Sequence, residues 1–169
     1  MANVTLFSQI IGKLNKDIFK KLVREKQTDK YHKGFNSWTH LVSMRFCHFA
    51  RSQSVRGISN GLRSATGNLN HLGVDTAPSK SSLSYQNARR NWTLFRDYYY
   101  RLFSYSGQQA GFKQVKFRIK SKILLLDSST ISLCLSLFDR AKYKTAKGAV
   151  KMHTLLDYDG NLPVYDYRR

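Results

Sequence analysis

The chain has 169 residues, 41% of them hydrophobic, and carries 29 lysines and arginines against 10 acids, a net charge of +19. That apolar content is enough for a packed core and excludes a disordered basic tail, while a charge so far from balance implies a polyanionic partner. No apolar run approaches the roughly 18 residues that span a bilayer, residues 1–7 lack the start of a signal peptide, and two distant cysteines, Cys47 and Cys134, exclude a disulfide scaffold and fit a reducing compartment.

Leu6, Ile10, Ile11, Leu14, Ile18, Phe19, Leu22 and Val23 recur at helical spacing, with a break at Gly12 and Asn15 capping a second helix. Lys13, Lys16, Lys20, Lys21, Arg24 and Lys26 decorate the other face, which reads most simply as a solvated surface. Residues 28–35 read as a loop. Asn36 or Ser37 caps the next helix, whose apolar face is Trp38, Leu41, Val42, Arg45, Phe46 and Phe49. Cys47, His48 and His40 do not have zinc spacing, so a core cysteine and surface histidines are expected. Residues 52–54 cap a short helix from Val55 to about Ala65, and residues 66–75 form a turn carrying Leu69, Leu72 and Val74. Pro78 suits the first turn of a long helix reaching about Tyr105, with Leu83, Ala88, Trp92, Phe95, Tyr99 and Leu102 on its buried side. After a linker at 107–111 the period changes. Residues 112–120 and 149–156 read as strands, 123–135 as a buried strand around Asp127, and 157–161 as a hairpin turn leading to a returning strand. The domains expected are 1–106, helical; 107–120, linker and lead-in strand; and 121–169, a second unit.

Charge is uneven: residues 1–110 hold 17 lysines and arginines against 5 acids, and residues 111–169 hold 12 against 5. Within the more basic part, residues 55–90 have the shape of a helix-turn-helix. Ser79, Lys80, Ser81 and Ser82 stand at a helix N-terminus, where free N–H groups and the dipole favour phosphate. Tyr85, Gln86, Asn87, Arg89 and Arg90 follow on the same helix; Gln and Asn can read adenine edges and Arg guanine or phosphate. A capped surface helix would look the same, and the charge tips the reading toward DNA. Lys147 and Lys151, near Lys142 and Lys144, are either a solvated sheet face or phosphate contacts. Asp127 rises out of an apolar strand, where an unpaired carboxylate is costly. It either caps a turn through Ser129 and Thr130 or binds a divalent metal.

Residues 124–131 (Leu-Leu-Leu-Asp-Ser-Ser-Thr-Ile), 138–143 (Phe-Asp-Arg-Ala-Lys-Tyr), 145–154 and 155–163 resemble the start of a DDE transposase catalytic domain of the IS-four group of bacterial insertion sequences. Upstream, Asp29-Lys-Tyr31, Trp38, residues 51–58 and residues 79–83 are similar to the N-terminal domain common in that group. The resemblance implies an α+β chain, with a helical N-terminal DNA-binding domain followed by the first strands of a ribonuclease-H-like catalytic domain. It implies double-stranded insertion-sequence ends as partner, a homodimer or an intact transposase as a further partner, and a cytoplasmic, nucleoid-associated location in a bacterium. It also implies two aspartates and a glutamate holding two metals, usually Mg²⁺, that activate the attacking oxygen and stabilise the leaving one. Asp127 matches the first aspartate, as catalytic and metal-binding residue. The second aspartate and the glutamate have no counterpart in this sequence, since Glu25 precedes the domain and Asp157 and Asp159 fall in the hairpin. A transposase cut short early in its catalytic domain, retaining DNA binding without strand transfer, is therefore expected. The alternatives are a stand-alone DNA-binding protein competing with an intact transposase, and a generic basic RNA-binding protein.

Overall fold

The computed structural model describes residues 4–32, 34–65, 69–109, 123–132, 149–157 and 162–163. Their order is α1 (Val4–Gly12), α2 (Lys16–Lys26), α3 (Ser37–Phe49), α4 (Val55–Ser64), α5 (Leu69–Leu72), α6 (Lys80–Arg89), α7 (Thr93–Gln109), β1 (Leu124–Ser132), β2 (Ala149–Asp157) and β3 (Leu162–Pro163). The architecture is α+β: a helical part followed by an antiparallel sheet of strand order β1-β2-β3.

Local chemistry sets where the helices start. The Asn15 side-chain oxygen accepts from the amides of Asp17 and Ile18, each at 3.1 Å, and starts α2. Asn36 accepts from the Thr39 amide at 2.8 Å and Ser54 from the Gly57 amide at 3.0 Å, starting α3 and α4. Each cap satisfies N–H groups that a helix end leaves unpaired.

Three helix ends share one closing geometry. After α2 the amides of Gln27 and Thr28 reach back to the carbonyls of Arg24 and Val23, both at 3.2 Å. Arg51 and Ser52 repeat this after α3, and Gly73 and Val74 after α5. The pattern needs a left-handed residue at its first position. Gly73 adopts φ +66° as glycine readily does, but Gln27 (φ 51°) and Arg51 (φ 49°) carry the steric cost of a Cβ there. Gln27→Gly is therefore expected to raise the urea midpoint, stabilising the chain by about 0.5–1 kcal/mol, the relief of left-handed strain less glycine's extra unfolded-state entropy. A lower midpoint would show that this helix end is not strained.

The core runs through all of the helical part. Phe19 of α2 is 1% exposed. Its ring lies edge-on to Trp38 at 5.4 Å and to Tyr98 at 4.9 Å, joining α2, α3 and α7. The two polar tips in this cluster are satisfied: Trp38 Nε1 donates to the Leu72 carbonyl at 2.8 Å, and the Tyr98 hydroxyl to the Asn15 carbonyl at 3.2 Å. Phe46 meets Phe7 edge-on at 5.6 Å. On its other side α4 comes so close that a Cβ at Gly61 would stand 2.6 Å from the Phe46 ring. Two ion pairs tie α2 to α7, Lys26 with Asp97 at 2.6 Å and Glu25 with Arg101 at 2.7 Å.

Several expectations are corrected. The long helix from residue 78 is two helices. Arg90 leaves α6 in an extended conformation (φ −68°, ψ 135°), and the Asn91 side chain accepts from the Thr93 amide at 3.0 Å to begin α7. Pro78 lies ahead of the Ser79 cap rather than in the first turn. The break rotates the inward face, so Leu83, Leu94 and Tyr98 are buried while Ala88 and Trp92 are exposed. Arg45 and Phe49 are exposed too, whereas His40 is 3% exposed and inside the core.

The sheet pairs Leu124 with Asp157 through to Ser132 with Ala149, and Asp157 with Leu162. This agrees with a hairpin over 157–162, although residues 158–161 lie outside the described ones. The buried strand expected at 123–135 is instead an open one: Leu126 is 72% exposed and Leu124 and Leu125 are exposed as well. Hydrogen bonding to β2 forms the strand, but only a second layer would bury its side chains, and the described residues place none against β1. The lead-in strand expected at 112–120 lies outside the described residues.

Candidate nucleic-acid interface

The helix-turn-helix candidate is α4, α5 and α6. Ile58 and Leu62 of α4 and Leu83 of α6 are fully buried and hold the two longer helices together. The entry to α6 is fixed by a buried hydrogen bond from the Ser59 hydroxyl to the Pro78 carbonyl, 2.7 Å. With Leu83 pinned inward, Ser79, Lys80, Ser81, Ser84, Tyr85, Ala88 and Arg89 face solvent. Ser79 caps the helix, its hydroxyl accepting from the Ser82 amide at 3.1 Å and sharing a 2.9 Å bond with the Ser82 hydroxyl.

Arg89 donates to the Tyr85 hydroxyl at 3.1 Å, and its guanidinium lies 4.6 Å from the centre of that ring. The same one-turn arrangement recurs at the start of α7, where the Arg96 guanidinium is 5.2 Å from the ring of Trp92. Trp92 is 65% exposed. An open aromatic face beside a guanidinium suits bases and phosphates, through stacking and charge. Periodicity alone places Trp92 in the core and passes over Arg96; the aromatic-x-x-x-Arg spacing shared with Tyr85 and Arg89 is the available signal.

Other members of the predicted set turn inward. Gln86 is half-buried. Asn87 stands beside the His40 imidazole and favours its charged form slightly, although neither ring nitrogen makes a well-formed hydrogen bond. Arg90, expected on the DNA face, has a side chain only 2% exposed. It donates to the Phe35 carbonyl at 3.0 Å, with Asp29 3.8 Å away. Burial holds Arg90 below the ordinary arginine value and the Asp29 carboxylate offsets part of this. Its place is structural, fastening the α6–α7 junction to the loop before α3. His40 lies among Phe35, Phe95 and this arginine. Burial first and the Arg90 charge second push it down to about 4.

On the sheet, Asp127 is exposed and accepts from the Ser129 hydroxyl at 2.7 Å. Its cross-strand partner is Thr154, while Lys151 stands opposite Thr130. Strand alternation therefore puts Lys151 and His153 on one face and Asp127 on the other. Lys147 lies outside the described residues. Among the described residues no three His, Cys, Asp or Glu side chains gather to hold a metal ion. A single exposed carboxylate bonded to a serine does not fit a two-metal centre, so these residues support no Mg²⁺-dependent step. No helix among the described residues is long and apolar enough to cross a membrane.

Residues 2–75, from the chain's start to just beyond α5, match the family model described as Domain of unknown function (DUF4372). It is a domain found at the N-terminus of transposase-like proteins. No curated protein and no solved structure shows a significant similarity to the chain. The matched segment holds α1 to α5 with Trp38 and Phe19 at its centre, and ends before α6.

Proposed function

We propose that this chain serves DNA transposition as the element-end-binding part of an insertion-sequence transposase of the IS-four group, with α6 as the helix that meets the duplex. The observation that carries the reading is the set of exposed residues on α6 and at the start of α7: Lys80, the Tyr85–Arg89 pair and the Trp92–Arg96 pair. The matched N-terminal domain and the net charge of +19 support it. In this reading β1 to β3 belong to a ribonuclease-H-like domain, and Asp127 is the first carboxylate of its site.

The test is binding of the purified chain to the terminal repeats of the encoding element and to scrambled DNA, at about 150 mM salt, near physiological ionic strength. Tighter binding to the repeats is expected. Lys80→Gln with Arg89→Gln should lower the slope of log affinity against log salt by about 2, at roughly 0.9 per phosphate contact on a duplex. Tryptophan fluorescence gives a direct readout, because Trp38 is 8% exposed and Trp92 is 65% exposed. Binding should quench emission more strongly in the wild type than in Trp92→Phe. Equal affinity for both DNAs, with slopes unchanged by the α6 variant, would remove the proposal.

A further inference from the structure

Helix α2 carries a row of charge that the α6 contact does not use. Lys16, Lys20 and Arg24 follow one another at one-turn spacing, placing them about 6 Å apart along one flank of the helix. Two other charges of α2 are paired with α7, Lys26 with Asp97 and Glu25 with Arg101. The row has no ion-pair partner among the described residues.

The row also borders a cleft of about 260 Å³. Phe19, Val23 and Trp38 contribute its apolar lining, and Asn36 and Gly73 complete the wall. A Cβ at Gly73 would collide with the Lys16 ammonium nitrogen. The missing side chain leaves that ammonium its place over the Trp38 ring, 4.9 Å from the centroid. Asp29 is the one acid lining the cleft. It is engaged, accepting from the Ser37 amide at 2.8 Å and the Ser37 hydroxyl at 2.7 Å. A merely solvated face needs no cleft beside it.

We propose that this row and cleft seat the sugar-phosphate backbone of a DNA strand, a second contact separate from α6. The inference rests on the reading of DNA as partner. Unneutralised cations at regular spacing complement a chain of phosphates, and a contact of this kind adds affinity and orientation without reading sequence.

The test compares Lys16→Gln/Lys20→Gln/Arg24→Gln with Lys13→Gln/Lys21→Gln/Arg45→Gln, a control that removes the same charge elsewhere, both in the full chain. The slope of log affinity against log salt should fall by about 2 to 3 in the row variant, at roughly 0.9 per phosphate, and by less than 1 in the control. The preference for element ends over scrambled DNA should be unchanged. Lys20→Gln/Arg24→Gln, which alters only exposed side chains, covers the case in which the triple variant does not fold; its slope should fall by about 2 on the same basis. Row and control variants with equal slopes would overturn the inference, and if the α6 variant still weakened binding the DNA-binding reading would stand without it. A wild-type chain that binds no DNA at all would overturn both.

Discussion

Replacing Phe19 by alanine is expected to cost the helical part of the chain about 3–5 kcal/mol, the usual range for a large aromatic removed from a core. A domain holds only about 5–15 kcal/mol in total, so the variant should sit near the edge of folding. The ring is 1% exposed and touches Trp38 and Tyr98 edge-on, with Phe95 stacked at 6.5 Å. Alanine would leave a cavity between α2, α3 and α7 that these rigid rings cannot close. Urea unfolding followed by far-ultraviolet circular dichroism measures the loss. Phe19→Leu, which keeps most of the volume, should cost only about 1–1.5 kcal/mol. Equal losses for the two variants would mean that the aromatic cluster relaxes around the gap.

What the sequence discloses follows the range of the forces involved. Asn15, Asn36 and Ser54 are legible as caps because their oxygens act on amides two or three residues away, so no tertiary information is needed. The break between α6 and α7 is not legible. Apolar residues continue at helical spacing from Leu83 to Leu102, and the extended conformation at Arg90 goes with a carbonyl 55 residues earlier in the chain, that of Phe35. The break turns Arg90 inward, away from the face expected to meet DNA, and leaves Trp92 at the surface. In β1 the apolar run locates the strand but not its burial, since burial is decided by what packs on it.

His40 escapes the periodicity for a related reason. Nine of the thirteen residues of α3 are buried, so the helix has no solvent stripe wide enough to mark an inner face, and a histidine in it reads as readily outside as in. The charge row on α2 is visible in the sequence as charges, but the cleft beside it is not. It depends on Trp38 and Gly73, which the fold brings to α2 from later in the chain.

Acidification should destabilise the helical part before its carboxylates titrate. His40 is held at about 4 by burial and by Arg90, against an ordinary value of 6.5. Below pH 6.5 the unfolded chain takes up a proton that the folded chain refuses, so stability falls as pH drops from 6.5 towards 4 and levels off below that. The full loss is about 3 kcal/mol, of which about 2 kcal/mol appears between pH 6.5 and 5, since each pH unit crossed in that window costs roughly 1.4 kcal/mol. Glu25 and Asp97 are also lowered, by Arg101 and by Lys26 with Arg96, and weaken the fold only further into acid, as pH falls below their ordinary values near 4. His40→Leu removes the group and its two unpaired ring nitrogens, so the variant should keep its urea midpoint nearly constant from pH 7 to pH 5 while the wild type declines. Parallel declines would mean that the imidazole gains a proton inside the folded core, which its position between Phe35, Phe95 and the Arg90 guanidinium opposes.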